Sequence, residues 1–368
     1  MQVDVAIIGS SIAGSTVAQV LGSAGVSVAL IDKSTFPRRK PCGEGLSRAG
    51  IGILKRLGVW GDPSPIPTLP YDGYRIVTGS LSRIVEPRNG GGITVSRELL
   101  DNHLLNAAAR HPSVRALLGC EVYEVTVKGT VETAAGTIHH TILVLADGAN
   151  SPTARKLNIP SARIGPPRAG ASAIFKGKFS SPPKHVTIQV GKGYELYATP
   201  LPDGHLNLSI LAQDSAGINI RTMLLDRTSQ REIFDAVGFE GELELPPLGR
   251  ASLGNVRRTS ISPNLFLVGD AAEEFDPIGG MGMTHALHSS EVAAKAILKQ
   301  LRRGSESATT PRSYTSERAA HAAPLRRFTQ LTGTLLRSCR TVPLLLRAVS
   351  SPLGNSLASR LLPKELPL

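Results

Sequence analysis

Val3-Asp4-Val5-Ala6-Ile7-Ile8-Gly9-Ser10-Ser11-Ile12-Ala13-Gly14 is the stretch on which the fold prediction rests. A short run of β-branched residues leads into a glycine turn, and a helix-like segment follows over residues 15–21. A second apolar run, residues 26–31, ends at Asp32. A strand, a glycine turn, a helix and a second strand in this order predict the first unit of a parallel α/β sheet.

The glycines of this turn point to a bound ligand. Gly9 permits the tight turn and Gly14 lets the helix pack closely against the strand, so that the helix N-terminus presents free N–H groups to a pyrophosphate. Asp32, 23 residues after Gly9, stands where an acid usually binds a ribose hydroxyl. Ser11 replaces the middle glycine of the usual pattern. The alternative interpretation is a tight strand–helix turn that binds nothing.

Residues 265–283 carry a second motif, Leu-Phe-Leu-Val-Gly-Asp-Ala-Ala-Glu-Glu-Phe-Asp-Pro-Ile-Gly-Gly-Met-Gly-Met. An apolar run ends at Gly269-Asp270, a glycine-rich turn follows, and a helix-like run starts at Met283. This pattern is typical of a buried strand whose end delivers a carboxylate and bare backbone N–H groups to a ligand. Together the two motifs predict FAD rather than a nicotinamide dinucleotide. The alternative for Gly269-Asp270 is a plain strand-to-loop turn with a helix cap.

Between the motifs, residues 170–215 alternate apolar and polar positions, which is typical of antiparallel sheet. We therefore predict an α/β protein, α+β overall, with a Rossmann-like FAD-binding domain, an inserted and mostly antiparallel β substrate domain, and a helical C-terminal tail. The predicted boundaries are 1–70, 90–160 and 250–300 for the discontinuous FAD-binding domain, 71–89 and 161–249 for the substrate domain, and 301–368 for the basic helical region.

Composition restricts the class of protein. The chain has 368 residues, 41% hydrophobic and 19% charged, a size that suits two lobes sharing one elongated cofactor. It has no apolar run of about 18 residues that would predict a membrane helix, and a strand starting at residue 3 leaves no room for a signal peptide. Three scattered cysteines support neither a disulfide framework nor a zinc site, so no metal is predicted. We expect a cytoplasmic location.

The net charge of +12 is concentrated near the C-terminus. Residues 301–368 hold eleven Lys and Arg against three Glu, a net charge of +8. Aromatic residues make up 4% and no nucleic-acid motif occurs, so we expect no nucleic-acid partner. Leucines interleaved with arginines, as in Leu344-Leu345-Leu346-Arg347, are compatible with peripheral contact at the inner face of a membrane. The simpler interpretation is a solvated basic face on a helical tail.

Four separated blocks occur in the order and spacing of one superfamily: Gly9 to Gly14, Arg97 before a helix containing Asp101, Ala146-Asp147-Gly148, and Gly269-Asp270 with its glycine loop. Over roughly residues 1–300 the chain resembles the FAD-dependent oxidoreductases that include aromatic-ring hydroxylases, flavin halogenases and geranylgeranyl reductases. The resemblance implies an extended FAD with its ring at the lobe interface. It assigns to cofactor binding Gly9, Ser11, Ala13, Gly14, Asp32, Lys33, Arg97, Val122, Asp147, Gly148, Gly269, Asp270, Asp276, Pro277, Gly280, Gly282 and Met283.

The resemblance also implies how these blocks act. Arg97 supplies a fixed cation near the phosphate or the ribityl chain, and Asp270 accepts hydrogen bonds on the ribityl side. Residues 279–283 present N–H groups to the ring, where they favour the negatively charged reduced flavin. Because the chain has no second GxGxxG domain, NAD(P)H is expected to bind transiently in the shared cleft as the reductant.

Residues 39–46, Arg-Lys-Pro-Cys-Gly-Glu-Gly-Leu, are similar to the Lys-x-Cys-Gly block of geranylgeranyl reductases and polyketide-associated flavoproteins. This places Cys42 at the substrate face, although a lone cysteine is as readily an inert small hydrophobe. Those reductases also carry a Tyr-x-Trp-x-Phe-Pro block, of which residues 194–200 keep only the first Tyr and the Pro, with Tyr197 and Thr199 at the other two positions. Cys42 and Tyr197 are the candidate catalytic residues. The single tryptophan, Trp60, does not fit the Trp-x-Trp block of flavin halogenases.

Asp276-Pro277 raises a separate hypothesis, because some relatives carry a carboxylate there that attaches covalently to the flavin ring. The alternative is a helix-capping or solvated aspartate. His285 and His288 lie three residues apart on the following helix. Without a third ligand at suitable spacing they favour packed or surface histidines rather than a metal site.

Two reactions on a bulky hydrophobic substrate remain open. The favoured one is an NAD(P)H-dependent monooxygenase that hydroxylates an aromatic or polyketide-like compound. The alternative is a geranylgeranyl-reductase-like enzyme that reduces prenyl or other C=C bonds, with Cys42 or Tyr197 as the proton source. A non-catalytic flavin-binding protein is disfavoured, because a large second lobe serves a purpose beyond holding FAD.

Overall fold

The computed structural model describes residues 1–87, 90–127, 129–213, 216–253, 256–303 and 310–336. The leucine–arginine pattern at 344–347 and Cys339 lie outside these residues. The helices are α1 (Ile12–Ser23), α2 (Arg48–Arg56), α3 (Arg97–Ala109), α4 (Pro152–Lys156), α5 (Ile220–Leu225), α6 (Arg227–Val237), α7 (Gly282–Arg303) and α8 (Thr310–Leu336).

The first half of the chain supplies strands β1 to β11. They are β1 (Gln2–Ile8), β2 (Val28–Asp32), β3 (Gly45–Ser47), β4 (Leu69–Tyr71), β5 (Gly73–Thr78), β6 (Leu81–Val85), β7 (Gly92–Thr94), β8 (Val114–Leu118), β9 (Val122–Thr126), β10 (Thr130–Thr133) and β11 (Gly136–Leu145). The remaining strands are β12 (Ser161–Arg163), β13 (Arg168–Phe179), β14 (His185–Gly191), β15 (Tyr194–Leu201), β16 (His205–Gln213), β17 (Phe239–Leu253), β18 (Val256–Arg258), β19 (Leu265–Leu267) and β20 (Glu273–Glu274).

A parallel sheet forms the centre of the first lobe. Its strands run in the order β8, β2, β1, β11 and β19, all parallel, and the antiparallel pair β10 and β9 extends it from β11. The four residues Val5 to Ile8 of β1 are all buried, as expected for a strand covered by other elements on both faces. One face packs on α1, α3 and α7. Because β1, β11 and β19 are parallel, the C-terminal ends of β1 and β19 lie on the same side of the sheet.

A second, seven-stranded sheet forms the other lobe, in the order β17, β13, β16, β15, β14, β5 and β6. Its pairs are antiparallel except β14 with β5. One face buries an apolar cluster against α5 and α6, in which Phe175, Phe234 and Phe239 make edge-to-face contacts. The opposite face is turned toward the first lobe. The parallel sheet joined to a mostly antiparallel sheet confirms the predicted fold class.

Strands β5 and β6 form a hairpin, and Gly79 takes a φ of 53° in the turn between them. Within the described part of the chain, no helix is both long and apolar enough to span a bilayer.

Candidate functional site

The turn after β1 brings three backbone segments almost into contact. A Cβ added to Gly14 would lie 1.8 Å from the carbonyl oxygen of Gly9, and one added to Gly9, whose φ is 101°, would lie 2.4 Å from the oxygen of Ala146. Neither position has space for a side chain. This is the close approach of helix to strand that the sequence predicted for these glycines.

The N-terminus of α1 opens into a cavity lined by Ser11, Ile12 and Ala13. Ser11 occupies the N-cap position, yet its side chain makes no capping hydrogen bond. Its hydroxyl instead donates to Asp101 Oδ2 at 3.0 Å and accepts from Arg38 Nη2 at 2.8 Å. The N–H groups of the first turn therefore remain available, with a cation beside them, for an anionic group in the cavity.

Arg97 and Asp101 hold this corner together. Both are buried, and Arg97 donates Nε and Nη2 to the two Asp101 oxygens at 3.1 and 3.0 Å. Arg97 also lines the cavity. The bidentate pair fixes a guanidinium at the cavity wall. The resemblance implies that this cation lies near the phosphate or the ribityl chain, which stays a prediction.

The Asp32 carboxylate accepts hydrogen bonds from the turn after β1. Its Oδ2 accepts from the backbone N–H and the hydroxyl of Ser10 at 2.8 and 3.0 Å, and its Oδ1 accepts from Ser34 N at 2.9 Å. These bonds tie β2 to the β1 turn. Lys33 is exposed and Val122 starts β9, and neither lines the cavity.

The second motif borders the same cavity from the other side. Gly269 takes a φ of 55°, and its N–H donates to Ser289 Oγ at 3.0 Å. Asp270 follows and lines the cavity. The glycine loop, residues 277–283, continues the wall: Gly280 takes a φ of 62°, and Gly282 begins α7. The helix N-termini of α1 and α7 thus face one cavity.

Asp147 and Gly148 have different surroundings. Asp147 Oδ1 accepts from the Ser151 hydroxyl at 2.6 Å and Oδ2 from Thr153 N at 3.1 Å, so the side chain holds the start of α4. Gly148, with a φ of 84°, lines the cavity. The Asp-Gly motif therefore brings backbone, rather than the Asp147 carboxylate, to the cavity wall.

Asp276 belongs to a buried ionic cluster that the sequence did not predict. Arg168 is 1% exposed and donates Nη1 to Asp276 Oδ1 at 2.9 Å, while its Nη2 bonds to Glu195. Asp276 Oδ1 also accepts from Ile278 N at 3.1 Å. These contacts favour the helix-capping interpretation of Asp276 over covalent attachment. Arg168 starts β13 and Glu195 lies on β15, so the cluster ties the second sheet to the glycine loop.

The segment 40–46 crosses the cavity between the lobes. Asn207 Nδ2 and the Ser209 hydroxyl donate to the Cys42 carbonyl at 2.9 and 3.3 Å. Glu44, at a φ of 57°, accepts from Arg97 N at 3.0 Å and from Asn207 Nδ2 at 2.8 Å. Burial raises the pKa of Glu44, and these two hydrogen bonds oppose the rise. Cys42 lines the cavity and also packs against an apolar cluster, so both interpretations offered by the sequence stay open.

A row of side chains crosses the second sheet and forms the floor of the cavity. Cross-strand pairing aligns Ile76 with Ile188, Ile188 with Tyr197, Tyr197 with Ser209, and Ser209 with Ser172. Paired residues project on the same face of a sheet, and all five line a cavity of about 780 Å³. The row is polar at the serines, below Cys42, and apolar at the two isoleucines. Tyr197 stands between the two ends.

The Tyr197 hydroxyl is buried and has no hydrogen-bond partner among the described residues. Burial holds the pKa of Tyr197 well above its usual range, and the Glu195 carboxylate adds to the rise, while Arg168 opposes it. The hydroxyl is therefore protonated throughout the physiological pH range. Within the described chain, no group of three or more His, Cys, Asp or Glu side chains is arranged to hold a metal ion.

Three histidines pack where α7 meets α8. The rings of His288 and His321 stack with centroids 3.3 Å apart, and His285 lies edge-on to Phe275 at 4.7 Å. Burial lowers the pKa of all three, that of His321 to about 4. Glu291 opposes the fall at His288, whereas Arg318 and the other histidines add to it at His285. These side chains are neutral in the folded protein at neutral pH.

We expect this contact to weaken in acid. A histidine in the unfolded chain has a pKa of about 6.5, so the unfolded state binds more protons than the folded state below that pH. Stability is then lost as pH falls from about 6.5 toward 4. His321→Phe retains a stacked ring without a proton site and should show a shallower decline in Tm over this range. The exposed His139 provides the control. Equal declines in the wild type, His321→Phe and His139→Asn would contradict the assignment.

Tertiary structure contributes several site residues that sequence patterns missed. Arg168, Glu195 and Tyr74 are ordinary strand residues in the sequence. Tertiary packing brings Arg168 and Glu195 together with Asp276, and it brings Tyr74 to the cavity wall. The α8 residues at the cavity are Leu325, Phe328, Thr329 and Thr332. Their spacing of three and four residues could have marked one face of a helix, but not what that face covers.

Comparison with known proteins places the chain. A family model described as the FAD binding domain matches residues 2–232 and 251–329. A protein of Mycolicibacterium smegmatis named menaquinone reductase is 27% identical over 325 residues, which is 80% of this chain and 76% of that protein.

Two solved structures share the fold. A geranylgeranyl bacteriochlorophyll reductase-like protein of Thermoplasma acidophilum has a TM-score of 0.80 at 22% identity, covering 97% of this chain and 95% of its own. PqsL of Pseudomonas aeruginosa, described as a probable FAD-dependent monooxygenase, has a TM-score of 0.73 at 20% identity, covering 93% and 98%. At these identities the likeness establishes the architecture only.

Proposed function

The chain belongs to the FAD binding domain family and is an FAD-dependent oxidoreductase, and from this premise we propose that it reduces a hydrophobic substrate, a quinone or alkene carrying an apolar chain, with NAD(P)H as the source of electrons. The observation that carries the proposal is the position of Tyr197. Its protonated hydroxyl, with no partner among the described residues, stands midway between the polar and the apolar ends of the cavity floor.

The residues present fit FAD. The cradle that a Cβ at Gly9 or Gly14 would fill, and the uncapped α1 N-terminus beside Arg38, suit a pyrophosphate. Asp270 and the backbone of the glycine loop would hold the ribityl chain and the ring. Bound FAD, once reduced by NAD(P)H, would supply two electrons as a hydride.

Reduction of a C=C or C=O group also needs a proton at the second atom. Tyr197 is placed to donate it, and solvent would then restore the hydroxyl. Four carboxylates line the cavity in the described part of the chain, and Asp270 among them is assigned to the ribityl chain. The other three are paired: Glu44 accepts from Arg97 and Asn207, Glu274 pairs with Arg250 at 2.9 Å, and Asp276 pairs with Arg168. The mycobacterial relative named menaquinone reductase agrees with a reduction.

Monooxygenation is the second candidate. It is favoured by the loss of the aromatic pattern typical of prenyl reductases at Tyr197 and Thr199. A hydroxylase gains from a base that accepts the phenol proton. Glu44, Glu274 and Asp276 are already hydrogen-bonded or ion-paired, which weighs against such a base among them.

Two half-reactions separate the candidates. Protein loaded with FAD is reduced anaerobically by NADPH or dithionite and mixed with a prenylated quinone or a prenyl lipid, while flavin absorbance is recorded. We expect reoxidation without O2 and recovery of the reduced lipid. Reoxidation that requires O2, with a hydroxylated phenol as product, would replace the reductase with the monooxygenase.

A further inference from the structure

The face of α8 that meets the cavity is a fixed wall. Leu325, Phe328, Thr329 and Thr332 all line the cavity, and their spacing puts them on one side of the helix. Thr329 lies against the glycine loop, since a Cβ on Gly279 would come 2.6 Å from its Cγ2. The helix thus packs directly on the loop expected to hold the flavin ring.

Buried ionic contacts hold this wall in place. Glu273, on β20 just before the glycine loop, pairs with Arg318 at 3.2 Å and with Arg326 at 2.6 Å. Glu273 is 1% exposed, so solvent screens these pairs little. At the start of α8 the Tyr314 hydroxyl donates to the Leu267 carbonyl at 2.5 Å. The helix is therefore anchored to the first lobe on both sides of its stacked His321.

The wall closes the apolar side of the cavity. Thr329 lies against Gly279, and the next residue, Gly280, lies close to Tyr74 of β5. A Cβ added to Gly280 would be 3.9 Å from the Tyr74 hydroxyl. The glycine loop therefore has β5 and α8 as neighbours. Ile76 and Ile188 lie on the β5 side of the cavity floor, and Phe328 adds an aromatic ring from α8. The polar groups that α8 and Tyr74 bring to this side of the cavity are hydroxyls, those of Thr329, Thr332 and Tyr74.

We propose that Phe328 and Thr332 of α8 determine the length and bulk of the apolar chain that the cavity accepts. The inference rests on the proposed function only in taking the occupant to be a hydrophobic substrate with a chain. The reacting group lies beside Tyr197, with Ser209 and Ser172 on its polar side, and the chain extends from there toward Ile76 and α8. Thr332 is the smaller of the two side chains and leaves room that a larger residue would fill.

The test uses binding, so that it does not depend on turnover. The probes are 4-n-alkylphenols of increasing chain length, titrated into FAD-loaded protein and followed by calorimetry and by perturbation of the flavin spectrum. Each buried methylene tightens binding by about fourfold, until the chain reaches the wall. We expect affinity to stop rising at a shorter chain in Thr332→Phe and at a longer chain in Phe328→Ala.

Leu331→Ala is the matched control, because Leu331 lies on α8 but is 48% exposed and does not line the cavity. If Phe328→Ala fails to fold, Phe328→Leu takes its place. The proposal is overturned if the limiting chain length is the same in all variants, or if Leu331→Ala shifts it as much as the others. A shifted limit in protein that reduces no acceptor would retain this inference and remove the proposed function.

Discussion

Tyr197→Phe is expected to lower kcat by about 100-fold to 10,000-fold, the usual contribution of a positioned proton donor. The change removes only the hydroxyl and keeps the ring in the cavity floor. Because that hydroxyl has no hydrogen-bond partner among the described residues, its loss leaves no buried group newly unpaired. FAD content and Tm should therefore stay near wild-type values. Single-turnover reoxidation of the reduced protein by a prenylated quinone measures the effect.

Tyr194→Phe is the control for this result. Tyr194 lies on the same strand but three residues away, so it projects to the opposite face, where it packs with the apolar cluster against α5 and α6. We expect it to leave kcat unchanged. If Tyr197→Phe reoxidises as fast as Tyr194→Phe, the proton comes from another group, and Tyr197 has no catalytic role.

Arg168→Met is expected to cost about 3–5 kcal/mol of stability, since it withdraws the cation from between two buried carboxylates. Arg168, Glu195 and Asp276 are exposed by 1%, 2% and 3%. Their burial leaves water little access to replace the guanidinium. Urea unfolding of the apoprotein measures the change, and FAD affinity should fall with it because Asp276 adjoins the glycine loop.

Two controls accompany the Arg168→Met prediction: a substitution in an exposed ion pair, and a triple variant that removes all three charges of the buried cluster. Arg231 and Asp235 are 85% and 76% exposed, and Arg231→Met should cost about 0.5 kcal/mol or less. Arg168→Met combined with Glu195→Gln and Asp276→Asn should regain much of the lost stability, because the uncompensated charges are gone. A single Arg168→Met variant as stable as Arg231→Met would show that the cluster does not hold the two lobes together.

The cofactor half of the site was largely predictable from the sequence. Gly14 is specified by a steric contact inside its own turn, where a Cβ would lie 1.8 Å from the carbonyl oxygen of Gly9. Gly9 is specified locally by its φ of 101°, although the atom that a Cβ there would meet at 2.4 Å is the oxygen of the distant Ala146. A strand, a turn and a helix that are contiguous in the chain produce that geometry wherever they occur. The same applies to Gly269 and Gly280, whose positive φ angles shape the second wall. These motifs reveal a cofactor cradle without reference to the rest of the fold.

Polar residues of these motifs were harder to interpret. Asp147 matches the expected pattern, yet its carboxylate holds the start of α4. Asp32 accepts hydrogen bonds from Ser10, in the turn after β1, and from Ser34. A motif states which residue type occurs, whereas the partners of a carboxylate depend on donors that other segments bring to it.

The sequence by itself determined the dinucleotide-binding fold and the glycine turns that form the cofactor cradle. Both follow from steric constraints and from the pattern of apolar residues within short stretches of chain. Only the tertiary structure decided three other features. Arg168 joins Glu195 to Asp276, which lies 108 residues after Arg168 in the chain. Tyr197 stands at the midpoint of the cavity floor, and α8 closes the apolar side of the cavity. An ion pair between distant segments and the register of five strands arise from packing of the whole chain. No local pattern encodes them, and they are the features that distinguish one reaction from another in this cavity.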